Sequence, residues 1–302
     1  MISANEPETR PSDAVLAADS GTFSRNFDRH CFTFEHRLAE SPLFAPERLL
    51  ELAKRMAEDP ADVYYDTGDV RVDQRWDEVP ISDQPIDEIL HRIETANAWI
   101  ILRKAEKFPE YAALLDACIA EILALSGRNL DGLIKLRNAI IFINSPHRIS
   151  SYHIDRECNF LLQIRGSKRI SIHDPADRDV LPEEEIERFW TVDPNSALYK
   201  PAYDDRASVY ELVPGSAVHI PVNAPHWVKN GPDVSVSLSI NFHYVDTVLA
   251  DLYRANYRLR ALGLKPLPPR KAAVVDQIKR TVYGSLRSAG RTAQRLIPAR
   301  KR

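Results

Sequence analysis

Only three cysteines, Cys31, Cys118 and Cys158, occur in 302 residues, and none stands in the paired spacing of a metal site. That speaks against a disulfide scaffold and against a zinc ribbon, and a reducing, cytoplasmic setting is expected. No apolar run reaches the roughly 18–20 residues of a membrane span. Met1–Gly21 holds Glu6, Glu8, Asp13 and Asp19 and lacks the basic segment followed by an apolar stretch that marks a secretory leader, so none is expected. No internal repeat is visible. Hydrophobic residues at 44% and charged residues at 27% argue against chain-wide disorder, and the length suits one large domain or two small ones.

Charge of one sign is missing overall but not locally. The net charge is −3, yet Lys265–Arg302 holds eleven Lys or Arg against one acid, Asp276. That segment carries +10 and the other 264 residues −13. An acidic body is a poor nucleic-acid surface, whereas the basic tail could contact RNA, an acidic protein or an anionic membrane.

Residues 1–25 are polar and aperiodic and read as a flexible leader. A strand is expected at Phe32–His36, helices at Pro46–Glu58, Pro85–Ala98 and Pro109–Leu125, and a buried strand at Trp99–Leu102. After Gly132 short β-branched runs dominate: 140–143, 160–164, 168–172, 209–213, 217–220 and 234–242, separated by turns such as Arg165-Gly166-Ser167. Helices first and dense strands later predict an α+β chain whose strand half is a sandwich or barrel. Helical periodicity returns at 245–262. The prolines at 266, 268 and 269 mark a linker, and an amphipathic basic helix follows to about Leu296.

The chemistry concentrates in Ser150-Ser-Tyr-His153-Ile-Asp155. In a strand, residues two apart share a face, so His153 and Asp155 would point together. One more histidine completes a facial triad, the ligand set of non-haem Fe(II) sites, and His226 is the natural third member. Alone, the pair is better read as a strand-end histidine bonded to a nearby acid, and the surrounding sequence changes that balance.

The surrounding residues resemble the JmjC group of cupin-like, Fe(II)- and 2-oxoglutarate-dependent oxygenases, with the pattern of the asparaginyl hydroxylase acting on hypoxia-inducible factor. His153-Ile-Asp155 is followed by Asn159-Phe160 and Gln163-Ile-Arg-Gly-Ser-Lys168, with Lys168 fifteen residues after His153. Pro214-Gly215, Ile220-Pro221, His226 and, fifteen residues further, Asn241-Phe242 extend the match over residues 135–245, about a third of the chain. The resemblance implies a double-stranded β-helix (cupin or jelly-roll) core with flanking helices and a C-terminal helical extension. It implies His153, Asp155 and His226 as iron ligands and Lys168 as partner of the distal carboxylate of 2-oxoglutarate. Ser150, Asn159 and Asn241 would contact the co-substrate or the ligands. The reaction implied consumes O2 and 2-oxoglutarate, releases succinate and carbon dioxide, and hydroxylates a protein side chain or a small molecule.

Three further residues are expected near substrate: Arg148 at the mouth of the site, Trp190 in an aromatic lid within 177–205, and Trp227 as a shield against water. The expected organisation is a leader (1–25), an oxygenase domain (26–262) and a basic extension (263–302). Within the domain the expected parts are a helical section (26–131), a metal-binding barrel (132–245) and a helix (245–262). A homodimer through the C-terminal helices is one expected assembly. The other readings are a non-catalytic cupin-type binding or regulatory protein, and a metal-dependent cupin enzyme that uses no 2-oxoglutarate.

Overall fold

The computed structural model describes residues 14–79, 81–130, 132–134, 136–243 and 247–296. The chain opens with β1 (Leu16–Ala17), α1 (Ser20–Asn26), β2 (Phe32–His36) and α2 (Pro46–Met56). Next come β3 (Val63–Thr67), α3 (Ile86–His91), β4 (Ala98–Leu102) and α4 (Pro109–Ser126). Eight strands then form the barrel: β5 (Leu136–Asn144), β6 (Ile149–His153), β7 (Cys158–Arg165), β8 (Lys168–Ile172), β9 (Ser208–Leu212), β10 (Ser216–Ile220), β11 (His226–Asn230) and β12 (Ser235–His243). A helix, α5 (Glu183–Phe189), interrupts them after β8, and α6 (Thr247–Ala261) and α7 (Ala273–Leu296) follow.

Among the described residues the strands form two antiparallel sheets. One runs β1-β2-β10-β7-β12-β5-β4-β3 and the other β6-β11-β8-β9. Successive barrel strands mostly switch sheet, and this is the jelly-roll arrangement expected from the resemblance. The α+β class and the barrel therefore stand as read.

Strict alternation explains why the large sheet has two different faces. Along β12, Val236, Leu238, Ile240 and Phe242 enter the core between sheet and helices, while Ser235, Ser237, Ser239 and Asn241 face the barrel interior. On β7, Cys158, Phe160, Leu162 and Ile164 face the helices, and Asn159, Leu161 and Gln163 face inward. The inward polar groups are paired: Gln163 Nε2 donates to Ser235 Oγ at 3.0 Å, and Ser237 Oγ donates to Gln163 Oε1 at 2.8 Å. Buried amides and hydroxyls are tolerated when bonded in this way.

Several expectations about organisation need correction. Residues 14–25 are not a loose leader; residues 1–13 lie outside the described residues. Phe23 on α1 and Phe27 at its C-terminal cap are fully buried and stack on Phe160 at 5.6 and 6.1 Å. The amides of Val15 and Leu16 donate to the Glu121 carboxylate of α4 at 2.8 and 2.7 Å, which ties down the start of β1. Residues 26–131 are not a separate helical part either, because β2, β3 and β4 extend the large sheet on both sides of the barrel. The helix expected at 85–98 is short: it ends at His91, and Asn97 at φ 48° turns the chain into β4.

In the C-terminal extension α7 packs on α6. Tyr283 is buried with the Arg258 guanidinium over its ring, and the Lys279 ammonium donates to the Leu267 carbonyl at 2.6 Å. Val274, Ile278 and Val282 stay exposed on the other side, whereas the side chains of Leu286, Ala289, Ala293 and Leu296 lie outside those described. Among the described residues no helix is long and apolar enough to cross a membrane.

Candidate metal centre and substrate cleft

The site is built where β6 and β11 pair at one end of the small sheet. His226, the first residue of β11, lies opposite His153, the last residue of β6. The next matched pair is Val228 with Ser150, so β6 holds one more residue than β11 across this interval. That β-bulge lets both Ser150 and His153 face the interior although they are three residues apart. Asp155 was expected within the strand; the structure places it two residues beyond the end of β6, in the turn to β7. The Asn223 amide donates to its carbonyl at 2.9 Å, and Asn223 itself adopts φ 62°.

His153, Asp155 and His226 each present one donor atom, all within 4.8 Å of one another. His153 Nδ1 lies 2.7 Å from the Ser151 carbonyl, and His226 Nδ1 lies 2.9 Å from the Ala224 carbonyl. A carbonyl only accepts, so each Nδ1 carries the hydrogen and each Nε2 presents a lone pair. Those two lone pairs approach Asp155 Oδ2 at 3.8 and 3.7 Å. Burial, with the neighbouring His153 second, pushes the His226 pKa down to about 3, so its ring is neutral at physiological pH. Acceptors that converge with no hydrogen between them repel unless a cation sits among them. Two imidazoles and one carboxylate, fixed by carbonyls behind the rings, suit a divalent iron-type ion with open positions.

Lys168 opens β8 after a tight turn at Gly166, where φ is 66° and a Cβ would collide with the Val234 carbonyl. Its side chain is buried in the pocket that also holds His153, Asp155, His226, Ser150 and Asn159. Among the described residues no carboxylate or other acceptor partners the ammonium, and burial pulls its pKa down to about 7. A buried cation without a counter-ion is costly, and a bound anion would remove that cost. Asn159 and Asn241 are opposite each other on β7 and β12 and are joined through Ser239: its Oγ donates to Asn159 Oδ1 at 3.0 Å and accepts from Asn241 Nδ2 at 3.0 Å. The pocket thus brings together six of the seven residues expected to bind metal or co-substrate, and the seventh, Asn241, lines the adjoining cleft.

The pocket opens into a cleft of about 390 Å³ walled by Tyr64, Trp76, Trp99, Arg103, Arg156 and Phe189. Sequence reasoning missed this wall. The alternation of Ser235 to Asn241 is a signal that could have found the inward polar row, but Tyr64 and Trp99 come from β3 and β4, far away in the chain. Trp99 stacks on Phe142 with the ring planes 2° apart, and its indole nitrogen is buried without a partner.

The three residues expected at the substrate are elsewhere. Arg148 is not at the mouth: its side chain is 1% exposed, ion-paired with the fully buried Asp66 and bonded to the Gly68 carbonyl. The Arg148 carbonyl accepts from both the backbone and the side-chain amide of Asn230, so this pair anchors the entry to β6 on β3 and β11. Asp66→Asn should therefore cost about 3–5 kcal/mol in denaturant unfolding, because it strands a buried guanidinium. Trp190 is not a lid contact. It lies in a second core with Ile186 and Tyr253, and its indole N–H donates to Asn223 Oδ1 at 2.9 Å. Its neighbour Phe189 reaches the cleft instead. Trp227 alternates with His226 and packs outside the barrel beside Tyr152 and Tyr199, so it does not shield the site.

A family model described as a cupin-like domain matches residues 48–248, two-thirds of the chain. The protein belongs to that cupin-like family. Among solved structures it is similar to YcfD of Escherichia coli, at 17% identity and a TM-score of 0.53, over 90% of this chain and 68% of YcfD. A second structure of YcfD, described as a ribosomal oxygenase in complex with cobalt and 2-oxoglutarate, gives 17% identity and a TM-score of 0.51 over 91% and 68%. At this identity the likeness is one of fold. No protein of curated function matches the chain in sequence.

Proposed function

We propose that this protein is an Fe(II)- and 2-oxoglutarate-dependent oxygenase, most simply a hydroxylase. One observation carries the reading: two histidine lone pairs and a carboxylate converge in the pocket that buries an ammonium lacking any counter-ion. The first group calls for a divalent metal and the second for an anion. A keto acid with a distal carboxylate satisfies both. The YcfD complex with 2-oxoglutarate and cobalt, a stand-in for iron, is a fold relative that holds this combination.

In this reading His153, Asp155 and His226 hold the iron, and Lys168 with Ser150 receives the distal carboxylate. The Asn159–Ser239–Asn241 chain keeps the barrel wall polar beside them. Bound together, iron and 2-oxoglutarate would activate O2, which is the oxidant of both 2-oxoglutarate and the substrate. This chain's own residues orient both, keep the tautomers fixed and exclude water behind Leu161, Ile170, Ile220 and Val228. No side chain needs to act as a general base.

A non-catalytic cupin leaves both the converging ligand set and the lysine without a counter-ion unexplained. A metal enzyme without 2-oxoglutarate leaves the lysine unexplained. The open, aromatic cleft suits a polypeptide side chain or a compact organic molecule, and the fold relative described as a ribosomal oxygenase favours the protein side chain. The test is succinate formation from 2-oxoglutarate by purified protein in air, with and without added Fe(II). Iron-dependent succinate, present at a low rate even before a substrate is found, is expected. Its absence together with absent 2-oxoglutarate binding would favour the non-catalytic cupin.

A further inference from the structure

A second concave site lies behind the metal loop, against α6. It is a cavity of about 490 Å³ whose charged lining, among the described residues, is Arg29, Arg128, Arg156, Arg178, Arg270 and one acid, Asp28. In a body with net negative charge, five guanidiniums around one cavity are a local inversion of sign. Arg178 is ion-paired with Glu183 at 2.5 Å. For Arg29, Arg128 and Arg156, no carboxylate comes within ion-pair distance among the described residues.

Two of these guanidiniums are held in place by neutral groups. Arg128 donates to the Phe27 carbonyl at 3.1 Å and lies over the Phe27 ring at 5.1 Å. Arg156 donates to the Phe189 carbonyl at 2.5 Å and lies over the rings of Phe189 and Trp190 at 4.9 and 5.5 Å. Its Nε is buried without a partner. Stacking on aromatic faces fixes the planar fork without neutralising it, which leaves the charge for a ligand. The cavity size lies in the range of small-molecule sites.

We propose that this cavity binds a small organic or inorganic polyanion of the phosphate type, carrying two or more negative charges. Three guanidiniums without an ion pair exceed what one carboxylate would satisfy, and a guanidinium fork meets phosphate oxygens two at a time. Arg156 follows the candidate metal ligand Asp155 by one residue and lines both this cavity and the substrate cleft. The two sites therefore share a wall, so occupancy of one bears on the other. The proposal does not depend on the oxygenase reading.

Pyrophosphate is the probe, titrated calorimetrically into the full chain at low salt without iron or 2-oxoglutarate. Binding is expected, weakened at least tenfold in Arg128→Gln and in Arg156→Gln. Asp28→Asn removes an acid of the lining at a left-handed position that asparagine tolerates, and should bind several-fold tighter than the parent. That gain cannot come from misfolding. No heat at ~1 mM pyrophosphate, or binding that none of the three variants alters, overturns the proposal. Binding of a single-stranded oligonucleotide, with pyrophosphate neither binding nor competing, overturns it in favour of a macromolecular partner.

Discussion

Lys168→Met should weaken 2-oxoglutarate binding by about 10²- to 4 × 10³-fold, because truncating one partner of a buried ion pair costs about 3–5 kcal/mol. The same change should stabilise the ligand-free protein. Burial lowers the folded pKa of Lys168 to about 7 from its ordinary value of 10.5, so between those values the unfolded chain binds more protons. Stability of the wild-type chain therefore rises with pH across that window, and the burial penalty is present in full below pH 7. Lys168→Met removes the penalty, so its advantage in Tm is largest below pH 7 and fades toward pH 10.5. Binding follows the same group. A dicarboxylate prefers the charged lysine, so complex formation above pH 7 takes up a proton and affinity falls as pH rises. Calorimetry in two buffers of different ionisation enthalpy measures that proton. A variant that binds 2-oxoglutarate as the parent does, and melts no higher, would remove Lys168 from the site.

Loss of one member of the His153, Asp155 and His226 set is expected to have the other large effect. Substituting alanine at any of the three should weaken Co(II) binding more than the about 10–100-fold that outer-shell changes cost, and should abolish iron-dependent succinate formation. The fold should survive. His153 and Asp155 are partly exposed, and removing either relieves the crowding of three acceptors within 4.8 Å. Visible absorption of Co(II) follows the metal, and circular dichroism follows the fold. Wild-type Co(II) affinity in His153→Ala would place the metal elsewhere.

Much of the fold could be read from local pattern. The strand Lys168–Ile172 has the bounds its composition announced, because a glycine turn precedes it and every second residue needs burial. The ligand spacing, His153 to Lys168 and His226 to Asn241, was visible because both pairs ride on strands joined by short turns. The turn carrying Asp155 was not visible, since a two-residue spacing looks the same inside a strand as just past its end. The bulge that aims Ser150 inward likewise depends on β11, more than seventy residues away. Arg148 was misplaced for a related reason. Its partner Asp66 lies 82 residues earlier on a strand that no alternation signalled, so a buried ion pair looked like a charged loop. Trp190 is read from its place in the aromatic insertion 177–205 and Trp227 from its place beside His226, whereas helix packing and strand alternation turn both away from the cleft.

The central claim, that this pocket holds iron and 2-oxoglutarate together, is tested most directly by anaerobic absorption spectroscopy. Fe(II) and 2-oxoglutarate are added separately and then together to the purified chain, alongside Asp155→Ala and Lys168→Met. A metal-to-ligand charge-transfer band is expected only when both are present. It should be absent in Asp155→Ala, and Lys168→Met should need far more 2-oxoglutarate to reach it. No band in the wild-type chain at saturating iron and 2-oxoglutarate, or an equal band in Asp155→Ala, would contradict the account.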